Sequence, residues 1–309
     1  MKKPQKTATF GHFSAVVTIL IWGTTFISTK VLLRTLTPIE ILFTRFLIGF
    51  AVLLLFYPKR LRLTDRRQEF FFIAAGVSGI TLCYLLENIA LTITTAGNVG
   101  IIITIAPFFT ALLSALFLKS EKPKWQFYTG FGAALIGIGL ISYNGNSLQL
   151  NPAGDLLAVL AAAAWAVYSI LTRKISELGY NTIQTTRRVF GYGLLFMLPM
   201  LFFMGFRLEP DQFATAANLG NILFLGLGAS ALCFVTWNTA VRLLGAVQTS
   251  VYIYLVPVVT VAVSVIVLKE PLTPLLIVGA SLTLIGLWLS ETRIFEGREE
   301  IWKTKIPNA

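Results

Sequence analysis

Charged residues are scarce in this chain: Asp, Glu, Lys and Arg make up 13% of its 309 residues, against about 25% in a typical soluble domain. With a mean hydropathy of +0.77, the composition excludes an ordinary soluble protein. Histidine occurs once and cysteine twice, which argues against a metal cluster and against a disulfide scaffold. The sequence has no Walker-type Gly-Lys-Ser/Thr motif, so neither ATP hydrolysis nor a bound cofactor is expected.

The apolar residues, in contrast, form ten uninterrupted blocks. Most are about 17–25 residues long, the length that crosses a hydrocarbon core of about 30 Å. The predicted spans are 15–33, 39–57, 69–91, 96–118, 126–144, 155–175, 183–204, 217–241, 246–268 and 274–290. The net charge of +11 is distributed between these blocks and forms no separate basic face, so nucleic acid is not an expected partner.

Lysine and arginine are distributed unevenly between the two sides that alternate spans define. Eighteen of the 25 lie on one side, four lie on the other, and three lie within or at the ends of spans. Because positive loops stay in the cytoplasm, residues 1–14 and the tail 291–309 are both predicted to be cytoplasmic. The chain is therefore expected to be a multi-pass protein of the cell membrane, with the lipid bilayer as its surroundings.

The two halves of the chain resemble each other. Trp22 and Lys30 match Trp165 and Arg173 at the same spacing. Five residues recur 150 positions later: Cys83, Asn88, Ala90, Ala96 and Pro107 correspond to Cys233, Asn238, Ala240, Ala246 and Pro257. Gly130 and Gly137 likewise correspond to Gly279 and Gly286.

Each half, 15–145 and 155–290, holds five spans, and an odd number inverts the second copy. The predicted fold class is therefore all-α integral membrane, with ten transmembrane helices as two inverted five-helix repeats. Inverted repeats place a substrate path at their interface and permit alternating access.

Several motifs resemble those of EamA-type transporters, a family of the drug/metabolite transporter superfamily. The first half contains Trp22-Gly-Thr-Thr-Phe, Pro38…Arg45 and Ala96-Gly-Asn…Pro107, and the second contains Ala163-Ala-Trp165-Ala-Val-Tyr168, Trp237-Asn-Thr-Ala240 and Leu268-Lys-Glu270-Pro. The resemblance extends over about residues 15–290. It implies a central cavity between the repeats and the export of amino acids, other metabolites or toxic cations.

Glu87 is the sharpest candidate for a binding residue. A carboxylate deep in a span costs about 2.5–3.5 kcal/mol on insertion scales and usually faces a cavity or a partner. Helical spacing places Tyr84, Glu87, Asn88 and Leu91 on one stripe. Desolvation favours the protonated carboxyl, so Glu87 is a candidate to bind a cationic group or to carry a proton. The alternative is an interfacial position in water, because the span ends near Leu91.

The equivalent stripe in the second half includes Trp237 and Asn238. Asparagines within spans also join helices by hydrogen bonds, typically worth about 0.6 kcal/mol, so packing is the alternative for both Asn88 and Asn238. Trp22 and Trp165 are predicted to wall the cavity, since their depth disfavours an interfacial belt. Tyr168, near Trp165, carries a hydroxyl that needs a partner.

Polar residues and prolines of the fourth and ninth spans complete the candidate set. Asn98 and Gln248 begin these spans, with Tyr252 one turn after Gln248, and a helix cap is the alternative for Asn98. Pro107 and Pro257 are predicted hinges, because a proline frees a helix carbonyl.

The three arginines within or at the ends of spans are expected to serve topology or structural pairing. For Arg45, which lies near the start of the second predicted span, Glu40 is the predicted partner.

These features favour a secondary transporter that acts on small molecules, by export, with amino acids or related amphipathic compounds and organic cations as substrate classes. A membrane-embedded enzyme would need clustered acid, base or metal groups, and a channel would need a symmetric assembly or a charged ring. A monomer is expected, and protons are candidate coupling ions.

Overall fold

The computed structural model describes residues 3–94, 96–118, 125–142, 151–207, 209–213, 215–263 and 274–291. Within these ranges the secondary structure is helical, and ten helices account for the ten predicted spans. Their bounds are Lys3–Leu32 (α1), Pro38–Phe56 (α2), Arg66–Ile93 (α3), 96–117 (α4), Trp125–Ser142 (α5), Pro152–Glu177 (α6), Thr182–Phe203 (α7), Ala216–Leu244 (α8), 246–263 (α9) and Pro274–Glu291 (α10).

The helix ends follow local sequence signals. The hydroxyl of Thr37 accepts from the backbone N–H of Glu40, whose carboxylate accepts from the N–H of Thr37, so a capping box starts α2. Gly245, with φ of 98°, ends α8 in a conformation that favours glycine. Helix α1 begins at Lys3, whereas its predicted span begins at residue 15, because its first turns are rich in polar residues and precede the apolar run.

Five of the described helices, α1, α2, α3, α6 and α8, are long and apolar enough to cross a membrane. The surface of the bundle is apolar as well. Its most exposed side chains include Leu55, Phe56, Phe202 and Phe203, each about four-fifths exposed. Such a surface is stable in lipid and costly in water. The chain is a multi-pass membrane protein.

The irregular turns recur in the two halves. Helix α3 contains a π-helical segment at Gly76–Leu82 and α8 contains one at Phe224–Leu232. Helices α4 and α9 contain 3₁₀ segments at Ile103–Ile105 and Val251–Tyr254. The same deviations at matching places in helices three and four of each half show that the repeat seen in the sequence is structural.

A cation at the end of the first helix of each half caps the third helix of that half. Lys30 Nζ donates to the carbonyls of Leu91 and Thr94 at the end of α3. Arg173 of α6 donates in the same way to the last carbonyls of α8, Val241 and Arg242. The eight-residue spacing from each tryptophan to its cation therefore reflects an equivalent C-terminal cap, where cations are favoured.

Helices α5 and α10 pack closely through glycines. A Cβ built on Gly137 would lie 2.6 Å from the carbonyl oxygen of Gly279, and one built on Gly286 would lie 2.6 Å from the carbonyl oxygen of Gly130. Small residues permit this backbone approach between membrane helices. The corresponding glycines of the two halves, Gly130 and Gly137 in α5 and Gly279 and Gly286 in α10, therefore lie at the same helix–helix interface.

Candidate functional site

A cavity lies between the two halves. It is lined from α1, α3, α4, α6 and α9 by Trp22, Thr25, Phe26, Cys83, Tyr84, Glu87, Ile103, Trp165, Ile253 and Val256. Four of these were predicted from the sequence: Trp22, Tyr84, Glu87 and Trp165. A ligand in this space would contact both repeats at once, which suits a binding site between inverted halves.

Tryptophans form the rigid part of the cavity wall. The ring centroids of Trp22 and Trp165 lie 5.1 Å apart in an edge-to-face arrangement, and Trp237 packs 5.1 Å from Trp22. The indole N–H of Trp22 donates to the carbonyl of Ala229 at 2.9 Å, which ties α1 to α8. The buried indole N–H of Trp165 has no acceptor among the described residues. Trp165 therefore carries an unused donor beside the cavity.

Glu87 is the one carboxylate among the described cavity-lining residues. Its residue exposure is 7%, so it does not lie in open water at the interface. The described wall around it is aromatic and aliphatic apart from Thr25 and Cys83. A carboxylate in such a site can accept strong hydrogen bonds from a cationic group.

Other predicted polar residues are occupied in holding helices together. Asn88 Nδ2 donates to the carbonyl of Pro38 at 3.2 Å, which places Asn88 against the start of α2 and away from the cavity lining. The Tyr168 hydroxyl donates to Asn238 Oδ1 at 2.9 Å, and Asn238 Nδ2 donates to the Thr186 hydroxyl. These bonds join α3 to α2 and α6 to α8 and α7.

The remaining candidates lie around the cavity and not on its lining. Trp237 is fully buried behind Trp22, and Gln248 is buried at the start of α9. The Tyr252 hydroxyl lies 2.6 Å from His12 Nδ1 on α1. The side chain of Asn98 lies outside the described part of the structure.

Both predicted hinge prolines follow the irregular turns of their helices. Pro107 comes after the 3₁₀ segment of α4 and Pro257 after that of α9.

Six lining residues were not predicted from the sequence, and most of them are apolar: Thr25, Phe26, Cys83, Ile103, Ile253 and Val256. An apolar cavity residue and an apolar core residue look alike in a sequence.

The predicted pairing of Arg45 with Glu40 is wrong. The Glu40 carboxylate accepts from the backbone N–H groups of Thr37 and Arg207. Arg45 Nε instead donates to the Ser230 hydroxyl at 3.1 Å, across the interface between the halves. Glu40 and Arg45 are five residues apart, which places them on different faces of α2, and Arg45 lies on the face that packs against α8.

Ten helices in two inverted halves, around a cavity with aromatic walls and one acid among its described lining residues, define a membrane transporter. The EamA-like transporter family matches residues 9–143 and 152–292, one match for each half. The chain belongs to that family, whose members move small molecules and are not enzymes. The resemblance seen in the motifs is confirmed.

Similar proteins cover most of the chain, from 73% to 91% of it. An uncharacterized transporter of Archaeoglobus fulgidus is 28% identical over 91% of this chain and 97% of its own length. A probable terminal-alkyne amino-acid exporter of Streptantibioticus cattleyicolor is 30% identical over 73% of this chain and 74% of its own. A probable amino-acid metabolite efflux pump of Salmonella typhimurium is 26% identical, covering 90% and 93%. A solved crystal structure shares the fold, with a TM-score of 0.72 at 17% identity, over 94% of this chain and 98% of that one.

Proposed function

We propose that this transporter exports small amphipathic metabolites of the amino-acid class, by alternating access through the cavity between the repeats. The observation that supports this proposal most directly is the lining of the cavity, in which one buried carboxylate, Glu87, lies among aromatic and aliphatic side chains. An ammonium group would bind the carboxylate, and a hydrocarbon side chain would fill the apolar remainder. The printed names of two relatives, an amino-acid exporter and an amino-acid metabolite efflux pump, support the same class.

Organic cations are the second candidate class. Glu87 would neutralise such a cation, and the faces of Trp22 and Trp165 would attract it. Movement would require α4 and α9 to bend at Pro107 and Pro257, where the missing N–H already weakens the helix. Glu87 is also the candidate proton carrier in an exchange of substrate for protons.

We expect both termini on the cytoplasmic side, because eighteen Lys and Arg residues lie on that side and four on the other. A reporter that is active only outside the cytoplasm, fused after Ala309, should stay inactive. The matched fusion after Phe203, at the end of α7, should be active. Activity of the reporter after Ala309 and none after Phe203 would show that both termini lie outside the cytoplasm, and the proposed direction of transport would be reversed.

Leucine counterflow into proteoliposomes tests both the function and the place of binding, because the chain offers a matched pair of cysteines. Both thiols are buried, but Cys83, at 2% exposure, lines the cavity, whereas Cys233 does not line it and has its Sγ 3.9 Å from the carbonyl of Thr18. We expect saturable uptake of labelled leucine into vesicles loaded with unlabelled leucine. A small methanethiosulfonate reagent should block this uptake in Cys233→Ala and leave Cys83→Ala active, and excess leucine should slow the block.

Different results of this experiment would contradict the substrate class, the place of binding or the transport mechanism. Absence of saturable exchange for leucine and other apolar amino acids would exclude the proposed substrate class. Exchange that the reagent blocks equally in Cys83→Ala would place binding elsewhere in the bundle. Uptake that rises linearly with concentration, without stimulation by internal leucine, would indicate a channel.

A further inference from the structure

Arg45 is a buried cation with an incomplete set of partners. Its exposure is 1%, although it lies inside a membrane-spanning helix. The guanidinium uses Nε for Ser230, and its carbon lies 4.6 Å from the centroid of the Tyr84 ring. Nη2 has no acceptor among the described residues. A guanidinium carries five N–H donors and is always charged, so this one retains binding capacity.

The other two arginines within or at the ends of spans show that the fold can satisfy such groups. Arg187 donates to the carbonyls of Tyr57 and Lys59. Arg188 pairs with Glu69 at 2.5 Å. Counted from the N-caps Thr37 of α2 and Asn181 of α7, the position equivalent to Arg45 in the second half is Val189. A buried cation at this position is therefore specific to the first half, the half that also carries Glu87.

Arg45 and Glu87 lie at the same depth. Arg45 comes seven residues after the start of α2 at Pro38, and Glu87 comes six residues before the end of α3 at Ile93. Both ends lie on one face of the membrane, and a helix rises about 1.5 Å per residue, so both side chains start roughly 10 Å below that face. Two opposite charges therefore flank one level of the cavity.

Tyr84 separates Arg45 from the cavity. Its ring contacts the guanidinium on one side and lines the cavity on the other, one helical turn before Glu87. The same ring lies 6.4 Å from the ring of Trp165, whose N–H also has no acceptor among the described residues. The buried N–H of Trp237 lacks one too, but Trp237 does not line the cavity. Rotation of the Tyr84 side chain would open the charged donor of Arg45 to the cavity, beside which the Trp165 donor already lies.

We propose that Arg45 and Trp165 form the subsite for a substrate carboxylate, closed by the Tyr84 ring in the unliganded protein, with Glu87 holding the ammonium group. Arginine is suited to this role, because its planar fork matches a carboxylate. The Arg45 and Glu87 charges cancel, so the cavity is matched to a zwitterion. The buried guanidinium would repel a substrate that is only a cation. The assignment rests on the proposed function and narrows its substrate class.

The test compares leucine with isoamylamine, the same hydrocarbon and ammonium without the carboxylate, by counterflow with the full-length protein in proteoliposomes. Wild type should half-saturate at a leucine concentration about tenfold or more below that for isoamylamine, the usual scale for a lost charge-assisted hydrogen bond. Arg45→Gln should remove this preference by weakening leucine alone, and Arg45→Lys should restore part of it.

Two further variants keep the assignment falsifiable if Arg45→Gln does not fold. Trp165→Phe removes the unused N–H and keeps an aromatic ring, so it should weaken leucine more than isoamylamine. Ser230→Ala keeps the charge of Arg45 and should leave the preference intact. Equal half-saturation of wild type by both compounds would overturn the assignment while the export of amines and amino acids stood. Exchange of neither compound would overturn the proposed function and the assignment together.

Discussion

Glu87→Gln should lower the rate of leucine counterflow at subsaturating concentration by about tenfold to a hundredfold. A hydrogen bond to a charged group is worth about 1.5–3 kcal/mol, and about 1.4 kcal/mol corresponds to a factor of ten. The amide keeps the shape of the carboxyl, and the described neighbours of Glu87 in the cavity are mostly apolar, so folding should survive. If Glu87 carries the coupled proton, the variant should also lose the pH dependence of exchange.

Asn88→Ala is the matched control, one residue further along α3. Asn88 is buried, but its amide donates to the Pro38 carbonyl and does not line the cavity. The loss of that bond should lower thermal stability in detergent and leave the half-saturating leucine concentration nearly unchanged. Normal exchange by Glu87→Gln at every pH, with Asn88→Ala impaired, would reverse the two roles and place the site at the α2–α3 contact.

Helix positions could be predicted well, because a membrane-spanning helix is recognisable from the length of its apolar run. The sequence predicts a span over 39–57, and α2 occupies Pro38–Phe56. Polar N-cap residues, such as Thr37 before α2 and Asn151 before α6, mark where these helices begin. The start of α1 at Lys3 could not be predicted in this way, since helix formation before residue 15 leaves no apolar signature.

Site residues could be predicted only where an unusual side chain and its neighbours on the cavity lie on the same helix. A carboxylate one turn from Tyr84 indicates a lining stripe, and the structure places both residues on the cavity. The partners of Asn238 could not be read from its own helix, because Tyr168 and Thr186 lie on two others. The bond from Arg45 to Ser230 joins residues 185 positions apart. Periodicity assigns a residue to a face, but the neighbour of that face depends on how the helices pack.

Gly137→Leu should strongly reduce the yield of folded protein. A Cβ at this position would lie 2.6 Å from three atoms of α10, the Gly279 carbonyl oxygen and the backbone N and hydroxyl of Thr283. Two of these are backbone atoms, so the helices must separate and no side-chain rotation relieves the clash. Overpacking a tight core costs about 1–3 kcal/mol and occasionally more, and a leucine between two backbones belongs at the upper end. Gel filtration in detergent after heating measures the surviving monodisperse fraction.

Gly139→Leu offers a control on the same helix with the same chemical change. No described atom lies within 4 Å of a Cβ built on Gly139, and the residue is exposed. Leucine is a better helix former than glycine by somewhat less than about 1 kcal/mol, so this variant should be neutral or slightly more stable. Gly286→Leu should repeat the loss seen for Gly137→Leu, because a Cβ there meets the backbone of Gly130 and Ala134. Since either leucine alone already separates α5 from α10, the double variant should lose less than the sum of the two. Equal losses at Gly137 and Gly139 would show that these helices do not depend on their glycine contact.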